Sequence, residues 1–419
     1  MITIKKKIVI LVYLFSSTFR VFSQDISKDS SFSAQRIVYD LENERDISDV
    51  IGSIKKAVLK PKLKNQGNLE DTLQRKKHKL HFAYFPAIGY ALQTGVTGLI
   101  SSNVSFYTGE LANTNISSIS ITPQLSFNYP LFMLPLNFNI WSPKNKYDFT
   151  GDIRYYKYPT NTYGLGGHTN LSDADLIDYN YLRLYMEVLR KISSTKLYAG
   201  GGYNLDYHYG IVEKGSGADF KLYNGKSTIT TSSGLNLAVV YDSRSNQNYP
   251  EKSMYANFRY RCNSSLLGSD SDWQSLFLEY RKYINMPFNS HNVLAFWGLA
   301  WHSFGGKVPY LDLPSTGWDN YSNTGRGYIQ GRLRGPAFLY IETEYRFRIL
   351  KNGLLGGNVF VNGQSVSEQH NTNFETFLPG VGFGLRVKLN KTSRVNYSVD
   401  YGWGIGGSRG LFFNIGEVF

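Results

Sequence analysis

The residue patterns that could do chemistry are few. Gly406-Gly407-Ser408-Arg409-Gly410 fits G-x-S-x-G, the pattern of a hydrolase nucleophile elbow. Such a serine needs a strand-to-helix turn beneath it and a placed histidine. Here the flanking residues read as two strands joined by a hairpin, so no acyl-transfer centre is expected. Gly402, Gly404 and Gly407 fit G-x-G-x-x-G, but a phosphate cradle needs a following helix, and none is read there. His78 and His81 are too few for a metal site. No histidine–carboxylate cluster suggests acid–base catalysis. The chain is therefore expected to be no enzyme, with no cofactor and no metal.

Charge carried on alternate residues is the remaining signal. In Tyr181 to Val188, Leu182, Leu184, Met186 and Val188 oppose Tyr181, Arg183, Tyr185 and Glu187. In Phe338 to Ile349, Leu339, Ile341, Tyr345 and Phe347 oppose Tyr340, Glu342, Glu344, Arg346 and Arg348. In Tyr255 to Arg261, Ala256, Phe258 and Tyr260 oppose Asn257, Arg259 and Arg261. Period two means strands. A soluble sandwich would alternate too, with its polar face in bulk water. A membrane barrel instead puts the apolar face in lipid and the charges in a wet lumen, and closure pairs every backbone group.

The rest of the chain favours the barrel. Among 419 residues there are 32 Tyr, 26 Phe and 40 Gly, and only 18% are charged. Those residues suit strands, aromatic girdles and tight turns. Lys5 to Lys7, the apolar run Ile8 to Phe15 and Val21-Phe22-Ser23 form an export signal cleaved before Gln24. No cysteine near that site supports lipidation. No later stretch has the roughly 20 apolar residues of a membrane helix. Cys262 is the one cysteine, so no internal disulfide can form.

The net charge of +13 is no nucleic-acid signal. Much of it sits in the signal and in Lys55 to Lys79, which reads as a solvated periplasmic tail near anionic lipid. Ile47, Val50, Ile51, Ile54 and Val58 fall at helical spacing, with Asp46 and Ser48 as caps and Pro61 beyond the end. That helix either rests on the periplasmic rim or plugs the lumen. The expected organisation is a signal peptide (1–23), a periplasmic basic linker with the short amphipathic helix (24–80) and an outer-membrane barrel (81–419).

Eleven strands are expected from Tyr181 onward: Tyr181–Arg190, Lys196–Tyr209, Gly234–Asp242, Met254–Arg261, Trp273–Ile284, Asn292–Trp301, Phe338–Ile349, Leu355–Val366, Gly380–Leu389, Val395–Trp403 and Leu411–Phe419. About five more fit between Phe82 and Tyr163, giving about 16 strands of roughly ten residues, a membrane-spanning length. The fold class is thus all-β: a transmembrane antiparallel β-barrel with a short N-terminal helical segment. In the last strand Leu411, Phe413, Ile415 and Phe419 are expected to share one face. A final strand ending in an aromatic residue resembles the signal read by outer-membrane insertion machinery, here Phe413, Ile415 and Phe419. Glu417 would then lie near the periplasmic rim.

Several motifs, in order, resemble the bacterial surface-antigen barrels related to BamA and TamA. They are Phe85-Pro86-Ala87-Ile88-Gly89-Tyr90 with Thr94-Gly95, Tyr163-Gly164-Leu165-Gly166, Tyr241-Asp242-Ser243-Arg244-Ser245-Asn246 with Tyr249-Pro250, and Gly325-Arg326-Gly327-Tyr328. Glu344-Tyr345-Arg346-Phe347, Asp400-Tyr401-Gly402-Trp403-Gly404 and Gly416-Glu417-Val418-Phe419 follow. The resemblance covers residues 84 to 419. It implies that the sixth extracellular loop folds into the lumen, with Gly325, Arg326, Gly327 and Tyr328 at its tip. Arg326 would pair with Glu344. Arginine suits this role because its fork grips carboxylates and keeps its charge.

Two departures follow from the same resemblance. The family carries an aspartate where this chain has Asn362, and Asp400, inward by parity, would compensate. Only about 55 residues lie between the signal and the barrel, so POTRA domains of roughly 75 residues each are not expected. The implied role is assistance to protein or lipid insertion or translocation at the outer membrane of a Gram-negative bacterium. Its implied partners are outer-membrane lipids, the machinery that inserts the barrel itself and an unknown periplasmic protein, and no nucleic acid. A passive or plugged pore, a lipase-like enzyme and a structural surface protein are the alternatives.

Overall fold

A computed structural model of the chain describes residues 43–58, 80–91, 95–110, 113–126, 131–214, 228–288, 290–319, 322–367, 373–374 and 376–419. The expected signal, its cleavage site, most of the basic run and His78 lie outside the described residues. Arg45 to Phe419 form one compact unit. A helix, α1 (Ile47–Val58), precedes the strands β1 (His81–Ala91), β2 (Gly95–Phe106), β3 (Ser117–Ile121), β4 (Gln124–Ser126), β5 (Phe132–Trp141), β6 (Tyr147–Lys157), β7 (Thr160–Thr162), β8 (Asp175–Lys191) and β9 (Leu197–Glu213). Then come β10 (Ile229–Asp242), β11 (Ser253–Asn263), β12 (Trp273–Asn285), β13 (Val293–Phe304), β14 (Ala337–Arg348), β15 (Leu355–Val366), β16 (Leu378–Asn390), β17 (Val395–Gly404) and β18 (Arg409–Ile415).

All 18 strands belong to one antiparallel sheet. β3 and β4 share the place between β2 and β5, and β7 prolongs β6 along β8. The strands therefore fill 16 staves, the expected number. The last strand is shorter than expected: it ends at Ile415 rather than Phe419.

Parity assigns the two faces. On β14, Leu339 and Ile341 are 40% and 58% exposed, while Tyr340, Glu342, Glu344 and Arg346 are all buried. The outward rows Leu235-Leu237-Val239 of β10, Val359-Val361 of β15 and Val381-Phe383-Leu385 of β16 are exposed as well. A surface of that extent would aggregate in water, and hydrocarbon is its proper solvent. Moving one such Leu or Phe into apolar surroundings is worth about 1.5–3 kcal/mol. Among the described residues no helix is long and apolar enough to cross a membrane.

The short turns 142–146, 192–196, 349–354 and 391–394 mark the periplasmic end, and the long 305–336 connection marks the other. At the short-turn rim sits α1. Asp46 caps it, accepting hydrogen bonds from the backbone N–H of Ser48 (3.0 Å) and Asp49 (3.1 Å). Ser48 is not a second cap, since its own hydroxyl also binds Asp46. The Lys391 ammonium pairs with Asp49 (2.8 Å), the Lys391 amide donates to Asp46 (3.0 Å), and the Arg45 amide donates to the Asn352 carbonyl (3.0 Å). The helix is thus tied to two neighbouring periplasmic turns.

Ladders run in register from β1 round to β18. Among the described residues, no register pairs β18 with β1. Instead Ala83 of β1 and Ile47 of α1 pack with Leu389, Val395 and Tyr397. On β17 the inward row is Asn396, Ser398 and Asp400, so Val395 and Tyr397 point outward. The start of β1 overlaps the outer face of the last strands rather than extending their ladder.

Candidate functional site

The connection from β13 to β14, residues 305–336, is the sixth extracellular loop, and it turns inward. A miniature hairpin shapes it: Thr316 N–H donates to the Leu333 carbonyl (3.0 Å) and Gly331 N–H to the Thr316 carbonyl (2.8 Å). At its tip Gly325 and Gly327 take positive φ of 79° and 101°, conformations that glycine adopts freely. The turn closes with Tyr328 N–H on the Gly325 carbonyl (2.8 Å). Arg326, between the two glycines, is only 1% exposed.

Three carboxylates surround its guanidinium. Nη1 lies 2.7 Å from Asp400, Nη2 lies 2.5 Å from Glu344, and both Nη2 and Nε bind Glu342. The plane rests on the Phe360 ring, 3.7 Å from its centroid. Glu342 is the partner that the sequence reading missed. It lies two residues from Glu344 on the same inward row, so parity could have named it. Asn362 sits close but does not take the place of the family's aspartate on the guanidinium. Its amide donates to the Arg326 backbone carbonyl (2.9 Å), so it holds the loop's backbone rather than its charge.

A second tier stands beneath. Arg346 pairs with the other oxygen of Glu344 (2.5 Å), and Arg386 pairs with Asp400 (2.5 Å). Both arginines also reach Glu417, at 3.4 Å and 3.0 Å. Three guanidiniums and four carboxylates thus form one buried network. Breaking such a network by removing one member strands the others, at about 3–5 kcal/mol.

The loop tip needs room, and glycine provides it. A Cβ on Gly402 would come 2.6 Å from the Gly327 amide nitrogen, and one on Gly404 would strike the Tyr328 ring at 2.4 Å. A Cβ on Gly380 would meet the Arg326 carbonyl at 3.0 Å. Gly402 and Gly404, two of the three glycines that fit a phosphate motif by chance, form with Gly380 a trough for the loop.

Opposite this trough the loop meets the far wall. Arg154 of β6 donates to the Asp319 carbonyl (3.2 Å) and the Ser322 hydroxyl (3.1 Å). Ser232 of β10 donates to Asp312 (2.5 Å), and Tyr158 donates to Gln330 (2.9 Å). Burial pushes the Asp312 carboxyl up to about 7, with Asp206 adding to the rise. Arg332 donates to Thr169 (2.6 Å), and Gly166 bridges to Arg334, so the third extracellular loop (163–174) is joined to the sixth. The loop therefore spans the lumen from wall to wall.

Glu417 and Phe419 do not lie where sequence parity placed them. Phe413 and Ile415 do share the outward row of β18, because their β17 partners Val399 and Tyr397 point outward. Gly416, at φ 91°, ends that strand and turns the chain inward. Phe419 is 3% exposed and stacks on Trp297 at 5.2 Å between centroids. Glu417 stays at the periplasmic end, its amide on Asn248 of the 243–252 turn, but two buried arginines hold its carboxylate inside. Below the loop a cavity of about 650 Å³ remains. Asp148, Glu187 and Arg259 line it on one side, and both inward Phe412 and outward Phe413 of β18 line it on the other.

No family model matches the sequence, and no curated protein matches it. Solved structures do. CdiB from Acinetobacter baumannii superposes with a TM-score of 0.51 at 15% identity, over 85% of this chain and 69% of that one. CdiB from Escherichia coli gives 0.53 at 9% identity, over 80% of this chain and 62% of its own length. The fold is that of the CdiB outer-membrane barrels. BamA from Haemophilus ducreyi lacking POTRA domains 1-3 is also similar, with a TM-score of 0.49 at 15% identity, over 80% of this chain and 69% of that one. Within this CdiB-like fold the Asp242–Arg244 motif forms a periplasmic turn. Arg244 grips Asp242 at both carboxylate oxygens, at 3.0 and 2.8 Å.

Proposed function

We propose that this barrel assists the insertion or translocation of protein or lipid at the outer membrane, and that its working part is the seam between β18 and β1. The observation that carries this reading is the edge of β18: among the described residues it is in register with β17 on one side, and no ladder joins it to β1, which overlaps it. An unpaired strand edge is a ready template for another strand. The cavity that reaches both faces of β18 supports the same reading, since lumen and seam share one space. In this role Arg326 braces the lumen with Glu342, Glu344 and Asp400, while Gly325, Gly327 and Tyr328 shape the tip and Asn362 steadies its backbone. The partners are outer-membrane lipids, the machinery that inserts the barrel and a periplasmic protein. Phe413, Ile415 and Phe419 serve as the insertion signal while the chain is still unfolded. No catalytic step is involved. Depletion followed by profiling of outer-membrane proteins and lipids tests the role. Loss of a subset of either is expected, and an unchanged envelope would sink the proposal.

A second reading, a plugged pore, is favoured by the loop that spans the lumen above a cavity of about 650 Å³. Planar-bilayer recordings separate the two. Steady conductance that rises when Arg326 is removed, with an unchanged envelope on depletion, would favour the pore.

A further inference from the structure

Gly416 to Phe419 touches both the seam strand and the loop seat. It continues directly from β18, yet Val418 and Phe419 are buried and the Glu417 carboxylate lies inside. The Gly416 amide donates to the Asn396 carbonyl (2.8 Å), and the Glu417 amide to the Asn248 carbonyl (3.2 Å). Asn396 Nδ2 donates to the Glu417 carboxylate (2.8 Å). The Phe419 carbonyl accepts from Arg346 (2.9 Å), whose guanidinium also lies 5.1 Å from the Phe419 ring centroid. Trp297 and Tyr283 stack on that ring. From the loop side, Asn323 reaches down and donates to the Val418 carbonyl (2.8 Å).

Two routes therefore join the segment to the sixth loop. One is direct, through Asn323. The other runs through shared arginines, because Arg346 and Arg386 hold Glu417 and also hold Glu344 and Asp400, the carboxylates that bind Arg326. If Glu417 leaves, both arginines lose one of their carboxylates and pull harder on those that Arg326 needs. If Arg326 leaves, Glu344 and Asp400 fall entirely to those same arginines, and Glu417 must compete for them.

We propose that Gly416–Phe419 is an internal ligand that couples the seam strand to the sixth loop, so that neither is released without the other. Its purpose rests on the seam reading above: a docked segment keeps β18 in place until the loop lets go. The coupling itself does not, and it is measured without any client.

The test uses the folded full-length barrel in lipid vesicles, with tryptic cleavage of the sixth loop at Arg332 and Arg334 as readout. Glu417→Gln removes the charge and keeps the shape. Trp297→Leu removes the ring under Phe419 from outside the segment. Neither residue touches Arg326, yet each change should speed loop cleavage by at least about threefold. Combining Glu417→Gln with Arg326→Ala should give no more than the larger single effect. Unchanged cleavage in either single variant, or rates that multiply in the double, would overturn the coupling. Hydrogen exchange on the unmodified protein provides the control against variants that do not fold. The Gly416 and Glu417 amides should open together with those of Thr316 and Tyr328, and clearly separate opening rates would overturn the proposal equally. Depletion experiments address the seam reading alone, so the two can fail separately.

Discussion

Arg326 and Asp400 stand 74 residues apart in sequence and 2.7 Å apart in the lumen. Asp400 thus supplies a charge on β17, while the position on β15 carries the neutral Asn362. The two sites are not interchangeable, because Asn362 donates to a carbonyl that an aspartate would repel. Asp400→Asn should loosen the sixth loop, and adding Asn362→Asp should make matters worse rather than restore the charge. Loop proteolysis of the single and double variants checks this. Protection restored in the double variant would contradict the geometry.

Arg326→Ala should still insert, since one site is small against the ladders of 16 staves. The expected cost is about 3–5 kcal/mol of local stability, because the guanidinium is buried among carboxylates rather than partly wet. Arg326→Lys should rescue poorly, as lysine cannot grip Glu342, Glu344 and Asp400 together. Abundance measured by heat-shifted gel migration should stay near wild type while the loop becomes protease-sensitive. Wild-type protection in Arg326→Ala would refute the assignment.

Gly402→Ala carries no charge change, yet its methyl would press on the Gly327 backbone. The loop should rise from its trough and become as accessible as in Arg326→Ala. Gly298→Ala on β13, where a Cβ meets nothing within 4 Å, is the control and should leave the loop seated. Equal behaviour of the two variants would remove the steric account.

Asp312 gives the loop a pH dependence. Its carboxyl is raised to about 7 when docked and returns to the ordinary carboxylate range when released. The docked state therefore binds the proton more tightly. Docking is favoured below about pH 4 and weakens as pH rises through 7. Loop cleavage should be faster at pH 8 than at pH 5.5 beyond the protease's own pH response, and Asp312→Asn should flatten the difference. The opposite slope would show that Asp312 is charged when docked.

Export makes a separate prediction. Lys5 to Lys7, Ile8 to Phe15 and Ser23 predict a mature chain that begins at Gln24. N-terminal sequencing of membrane-inserted protein settles it, and a retained Met1 would count against the signal.

The barrel was legible because strand parity is a local property. Leu339 against Glu342 needs only counting, and Asp400 was placed inward the same way. Glu342 is equally countable, two residues from Glu344 on the same inward row, although the resemblance points to Glu344 alone. Phe419 was misplaced for a physical reason: parity holds only while the strand continues, and Gly416 at φ 91° ends it. The far-wall anchors were not legible. Arg154 meets a backbone carbonyl 165 residues away, and a backbone acceptor carries no signature in residue type. The roles of Gly402 and Gly404 depend on what lies opposite them, which only the folded loop reveals.

The bridge from Gly166 to Arg334 also bears on how the cell surface is seen from outside. Gly167 and His168 lie against Thr376 of the seventh loop, so three loops distant in sequence make one continuous patch. Around the exposed His168 that patch would form a discontinuous epitope. Antibodies raised against the folded protein would recognise it only while the sixth loop is seated, and peptides cut from any single loop would compete poorly. Serum binding to intact cells would then read out the state of the lumen from the far side of the membrane.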